Sequence, residues 1–192
     1  MLYQIVTAVL LLAFYGCYFG KMLLQRQKGI QTDQMGKGKS GPALHIERTL
    51  KLATIAVVLG EVVSLLLGIT GLPAGLRWIG LDLTALGTGV FIVSVVTMRD
   101  SWRAGVAETD KTELVTTGIY RISRNPAFLG FDLVYIGMLL IFFSWWLAVL
   151  TAIAVITLHV QITQVEEPFL RMAFGDDYRR YEKKVRRYLG RC

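Results

Sequence analysis

The sequence predicts an all-α integral membrane protein: five transmembrane helices, the last two joined as a tight hairpin, followed by short cytoplasmic helices at the C-terminus. Three observations carry this reading. Of the 192 residues 54% are hydrophobic, yet the formal charge is +7, and charged and apolar residues are segregated along the chain. Five apolar stretches, at about 2–23, 50–71, 77–98, 126–143 and 145–165, approach the roughly 20 residues that a helix needs to cross a hydrocarbon core. No stretch keeps a strand period over a useful length, which argues against a transmembrane barrel.

The first stretch, "LYQIVTAVLLLAFYGCYFG", has neither a basic leader nor a small-residue cleavage site, so it reads as a span and not as a removable signal. Orientation follows from the basic residues. Seven lysines and arginines lie between spans one and two, five between spans three and four, and eight after span five, leaving Arg77 alone on the opposite side. The N-terminus is therefore expected outside and the C-terminus in the cytoplasm, at a prokaryotic inner membrane. Positive charge distributed in this way fits anionic lipid headgroups and not nucleic acid.

The loop after span one, "QRQKGIQTDQMGKGKSGPALHIER", is poor in apolar anchors and reads as a solvated basic linker, with a contribution to a substrate entrance as the alternative. Span two carries Glu61 and span three carries Asp82 near its outer end. An ionisable group at membrane depth is a functional candidate. For Glu61 a purely helix-tying role stands equally open, and Asp82 is expected to reach the outer interface beside Arg77 and Trp78.

The second polar loop spans about 27 residues, and its spaced Trp102, Val106, Leu114, Val115, Ile119 and Tyr120 predict order against the membrane face. After span five, an apolar stripe from Phe169 to Phe174, a break at Gly175 and helical spacing of Tyr178, Tyr181, Val185, Tyr188 and Leu189 predict two short helices, the second basic and amphipathic. The chain divides into residues 1–98, three spans with a basic loop, and residues 99–192, which hold the candidate chemistry. Cys17 lies in a span and Cys192 is the last residue, so no disulfide, metal site or prenylation box is predicted.

Two constellations stand out. Pro126 suits the first position of span four and makes Asn125 its expected N-cap, with Arg121 and Arg124 alongside. Such a helix start binds anions, although lipid phosphates would satisfy the same arginines. Asp132, six residues on, is expected to face the bundle. At the end of span five, His159, Thr163, Glu166 and Glu167 share a helical face, and Pro168 is expected to break or kink the helix there. The glutamates would pair with Arg171 or the basic tail, or they would take a ligand cation. A hairpin brings both constellations together, which suits a zwitterion. No glycine-rich phosphate loop, Ser-His-Asp pattern or metal spacing competes with this.

The runs "LVTTGIYRISRNPAFLG" and "EEPFLRMAFGDDYRRYEKKVRRYL" resemble the isoprenylcysteine carboxyl methyltransferase and phospholipid methyltransferase superfamily, best over residues 99–189. The resemblance implies that Leu114, Val115, Gly118, Tyr120, Arg124, Asn125, Pro126, Glu166 and Glu167 bind S-adenosyl-L-methionine in a cytoplasmic pocket, with Arg124, Asn125 and Glu167 as catalytic residues. It also implies a lipophilic or prenylated acceptor entering laterally from the membrane, for which Glu61, Phe128, Asp132 and His159 are candidate contacts. Asn125 stands where the family has histidine, and Phe128 where tyrosine is common. Asparagine does not titrate near neutrality, so position 125 is not assigned a general-base role. A nucleotide-dependent membrane reductase and a non-catalytic scaffold are the competing readings.

Overall fold

The computed structural model describes residues 1–106 and 112–191. Among these, the chain forms α1 (Leu2–Gln27), α2 (Gly41–Leu67), α3 (Ala74–Met98), α4 (Pro126–Ile141), α5 (Trp145–Gln161) and α6 (Glu167–Glu182). Short 3-10 turns occupy Arg99–Ser101 and Gly118–Arg121, and a π-helical turn, Ile162–Glu166, leads from α5 into α6. By length and composition, α1, α2, α3 and the helical run starting at Trp145 suffice to cross a membrane.

The remaining apolar helix, α4, has 16 residues and rises about 24 Å, less than a hydrocarbon core of roughly 30 Å. It stops where Phe142 leaves the helical region (φ −128°, ψ 64°). There Arg77 donates its Nε–H to the Ile141 carbonyl at 3.1 Å, and its guanidinium lies 3.8 Å from the centroid of the Tyr3 ring. Orphan carbonyls and the dipole favour a cation at a helix C-terminus. This is the task of the lone basic residue on that side.

Only three residues, Phe142 to Ser144, connect α4 to α5, so the hairpin is tight at its turn. Along their lengths, however, α4 packs chiefly on α3, and α5 on α2. Glycines explain the first pairing. A Cβ on Gly80 would stand 2.7 Å from the Gly137 carbonyl oxygen, and one on Gly87 would stand 2.7 Å from that of Gly130. The two backbones touch, as small residues permit within membranes. Around this seam lies an aromatic core in which Phe91 is 4.6 Å from Phe14 and 5.1 Å from Phe131, centroid to centroid.

The first polar loop departs from the solvated linker expected of it. Thr32 and Gln34 are buried. Gln34 N–H donates to the Ala104 carbonyl at 2.9 Å, and Ala104 N–H returns a bond to the Thr32 carbonyl at 3.0 Å. Gln25, fully buried, donates to the Trp102 carbonyl at 3.0 Å and accepts from the Thr32 hydroxyl at 2.7 Å. Glu47, also fully buried, receives Lys39, the Gly36 N–H at 2.6 Å and the Gln161 amide at 3.2 Å. Satisfied polar partners replace the apolar anchors that the loop lacks. The loop thereby joins α2, the end of α5 and the second loop at one end of the bundle.

Candidate functional site

The site assembles where α4 begins and α5 ends. Asn125 has the extended φ (−131°) that a residue before proline adopts, and Pro126 opens the helix. The Asn125 side chain does not cap it, contrary to the sequence expectation. Its amide instead donates to the Arg187 carbonyl at 3.2 Å, while its backbone N–H reaches the Ser123 hydroxyl at 3.1 Å. The cause is the tail, which is not the continued amphipathic helix expected beyond residue 182. Residues 183–191 fold back as a strap, with Arg124 N–H donating to the Arg186 carbonyl at 3.1 Å and Gly190 N–H to that of Ile122 at 2.8 Å. The strap places an acceptor within reach of Asn125, which a short side chain then uses in place of the helix N–H groups.

Gly175 makes the break expected of it (φ 51°, ψ −124°). Beyond it, Tyr178 and Tyr181 turn inward, and the Tyr181 hydroxyl donates to the Tyr120 carbonyl at 2.6 Å.

Glu167 is the centre of an ion-pair network. It is 2% exposed. Its Oε1 lies 3.1 Å from Arg124 Nη1 and 2.8 Å from Arg187 Nε, and its Oε2 lies 2.9 Å from Arg187 Nη2 and 3.5 Å from Arg171 Nη2. Arg124 also donates to the Tyr178 hydroxyl and to Glu182, both at 3.1 Å. Glu182 accepts from Arg171 at 2.6 Å, and that hydrogen bond, before any other cause, holds its carboxyl below the usual glutamate range. Burial raises the Tyr178 phenol to about 12 despite Arg124 beside it.

Glu166, the neighbour, makes no ion pair among the described residues. The π-helical turn separates the two carboxylates: Glu167 is committed to arginines, and Glu166, with Gln161 beside it, lines the cavities. Two cavities meet there. The first, open to solvent, is lined by Leu114, Val115, Tyr120, Arg124, Asn125, Phe128 and Glu166, with Trp102, Phe169, Leu170, Phe174, Tyr178 and Tyr181 in its wall. The second, about 390 Å³, is a mainly apolar cleft between α1 and α2 that runs from Asp33 and Lys51 to Tyr15, Leu59 and Tyr135. Both are lined by Trp102, Arg103, Gly105, Ala127, Phe128 and Glu166.

Six of the nine residues expected at a cofactor thus line the first cavity. The other three do not. Pro126 is buried as the first residue of α4, Glu167 stands behind Arg124, and Gly118 makes a turn (φ 58°) against Thr97. Of the four acceptor candidates, only Phe128 lines the cleft. Glu61, 1% exposed, accepts from the Tyr15 hydroxyl at 2.7 Å between α1 and α2. Asp132 has one buried oxygen without a hydrogen bond and lines neither cavity. His159 is exposed and stacks on Tyr188 at 5.9 Å. Sequence reasoning missed Glu182 and Tyr178 as partners of Arg124, because nothing local ties residue 124 to the far end of α6.

Residues 76–177, from the start of α3 into α6, match the phospholipid methyltransferase family. The chain belongs to that family. A probable protein-S-isoprenylcysteine O-methyltransferase of Oryza sativa subsp. indica is 27% identical over 110 residues, which are 56% of this chain and 58% of that protein. The protein-S-isoprenylcysteine O-methyltransferase of Schizosaccharomyces pombe is 33% identical over 72 residues, 38% of this chain and 30% of its own length. An uncharacterized protein of Haemophilus influenzae is 44% identical over 64 residues, 29% of this chain and 98% of its own. The chain thus spans little more than half of the rice relative and less than a third of the yeast one. The family match covers the ion-pair network up to residue 177 and most of the first cavity, whereas the α1 and α2 walls of the cleft lie outside it.

Proposed function

We propose that the protein is a membrane methyltransferase that uses S-adenosyl-L-methionine to methylate a lipophilic acceptor, with the charged end of the bundle in the cytoplasm. The single observation that carries this reading is the meeting, at Phe128 and Glu166, of a solvent-open cavity that presents Arg124, Asn125 and Glu166 with a mainly apolar cleft at membrane depth. A water-soluble donor and a lipid reach one point from opposite directions.

The donor set fits the cofactor. The first-turn N–H groups of Ala127 and Phe128 have no intrahelical acceptor by construction, and with Arg124 they suit a carboxylate. The apolar and aromatic wall of Trp102, Leu114, Tyr120, Phe169 and Phe174 suits a purine. Glu166 is the carboxylate left for a cation. When bound, the cofactor supplies an electrophilic methyl on a sulfonium sulfur.

The chain's own residues position and desolvate. Arg124 is held rigid by Glu167, Glu182 and Tyr178, so it needs no rearrangement on binding. Phe128 and Trp102 exclude water from the junction. Glu166, which makes no ion pair among the described residues and is only partly offset by Gln161 and Lys39 nearby, favours a lipid amine over a carboxylate acceptor: an ammonium there would pass its proton to the Glu166 carboxylate, freeing the nitrogen lone pair. Arg124, Phe128 and Trp102 would hold the cofactor so that its methyl group faced that nitrogen, which would take the methyl while the sulfur kept the bonding electron pair. Asn125 stays outside the proton path.

Calorimetric titration of the detergent-purified protein with S-adenosylhomocysteine tests the reading. Binding in the micromolar range that is weakened at least tenfold by Arg124→Ala is expected. No binding at near-millimolar ligand would sink it.

A further inference from the structure

The apolar cleft contains a polar place that its role as a lipid passage does not explain. Tyr135 lines the cleft, is fully buried, and its hydroxyl has no hydrogen-bond partner. Tyr15 lines the same cleft and spends its proton on Glu61 at 2.7 Å, while the other Glu61 oxygen is buried without a partner. Unpaired polar groups at membrane depth are costly, and those that persist mark sites that something else completes. Leu50, Leu158 and Phe131 supply the apolar remainder of the wall here.

The position is informative. Tyr135 follows Phe128 by seven residues on α4, which places it about 10 Å below the junction of the two cavities. With its proton committed to Glu61, Tyr15 offers an acceptor only, whereas Tyr135 offers an unused donor. A ligand that completes the site therefore carries an acceptor oxygen roughly 10 Å from its methyl-accepting atom. In a diacyl lipid with an ethanolamine headgroup, about nine bonds separate the nitrogen from an ester carbonyl, roughly 10 Å when extended. A plain prenyl chain has no oxygen there.

We propose that Tyr135, with Tyr15 and Glu61 behind it, is a specificity subsite for an acceptor oxygen in the linkage region of the lipid substrate. The inference rests on the methyl-transfer reading for the reacting end of the lipid, yet the subsite is defined by binding alone. Removing the carbonyl oxygens while keeping the shape of the lipid isolates its contribution.

Native mass spectrometry of the detergent-solubilised full chain, titrated with diacyl phosphatidylethanolamine and with its dialkyl ether analogue, provides the test. The wild type is expected to bind the ester lipid about 5- to 10-fold more tightly, the size of one hydrogen bond to a buried donor. Tyr135→Phe removes only a partnerless hydroxyl, so it should fold, and it is expected to bind both lipids equally. Equal binding by the wild type, or a full ester preference in Tyr135→Phe, would overturn the subsite. An ester preference in a protein that binds no S-adenosylhomocysteine would uphold the subsite and sink the methyl-transfer reading instead.

Discussion

Glu167→Gln is the sharpest perturbation of the site. The substitution is nearly isosteric, but it removes the one charge on which Arg124, Arg171 and Arg187 converge. Breaking a buried pair costs about 3–5 kcal/mol because the surviving charges stay desolvated. Here the Arg124 side chain is 7% exposed, whereas those of Arg187 and Arg171 are 34% and 43% exposed, so solvent screens their share. Glu182 still serves Arg124 and Arg171. The expected loss is about 2–3 kcal/mol, which lowers the thermal midpoint by roughly 4–12 °C for a chain of this size. Tryptophan fluorescence of the detergent-solubilised protein, heated at one fixed rate, reads it. Arg179→Ala is the control, since it removes only the surface pair with Asp176, whose side chains are 66% and 81% exposed. A midpoint for Glu167→Gln within 1–2 °C of that control, roughly half a kcal/mol on the same scale, would refute the view that Glu167 holds α4, α6 and the strap together.

Two further outcomes follow from the same geometry. Gly137→Ala places a methyl 2.7 Å from the Gly80 carbonyl oxygen, whereas Gly89→Ala meets nothing within 4 Å. The first should cost about 1–3 kcal/mol or more and sharply reduce the monodisperse fraction in gel filtration, and equal behaviour of the two would contradict the close α3–α4 seam. Glu182 supplies the pH dependence. Its carboxyl is held low by Arg171, so its contribution is complete above the unfolded value of about 4.3 and is lost as pH falls through the lower folded value. Acidification below about pH 5 should therefore lower the wild-type midpoint more than that of Glu182→Gln, and parallel pH curves would remove Glu182 from the network.

Much of the architecture was legible along the chain because its signals are local. Apolar run lengths marked the spans, the lysines and arginines marked one charged end, Pro126 marked the start of α4, and Gly175 marked the break in α6. The same locality explains the errors. Glu47 and Lys39 read as solvated charges, yet they are buried because Gln161, more than a hundred residues away, completes their shell. Asn125 read as a cap, yet it serves the strap, whose return path depends on Arg187 finding Glu167.

By itself the sequence determined a helical membrane bundle with one basic end, and a start of α4 and an end of α5 rich in residues suited to a zwitterion. The short connection after Phe142 then brought Arg124 and Glu167 together. Only the tertiary structure decided which glutamate stays outside the arginine network. Adjacent residues on an ideal helix differ by about 100°, but the π-helical turn and the arginines of α4, α6 and the strap turn Glu167 into the core and leave Glu166 at the junction of the two cavities. That choice depends on side chains from three separate elements competing for one carboxylate, an outcome that no pattern within a single segment encodes.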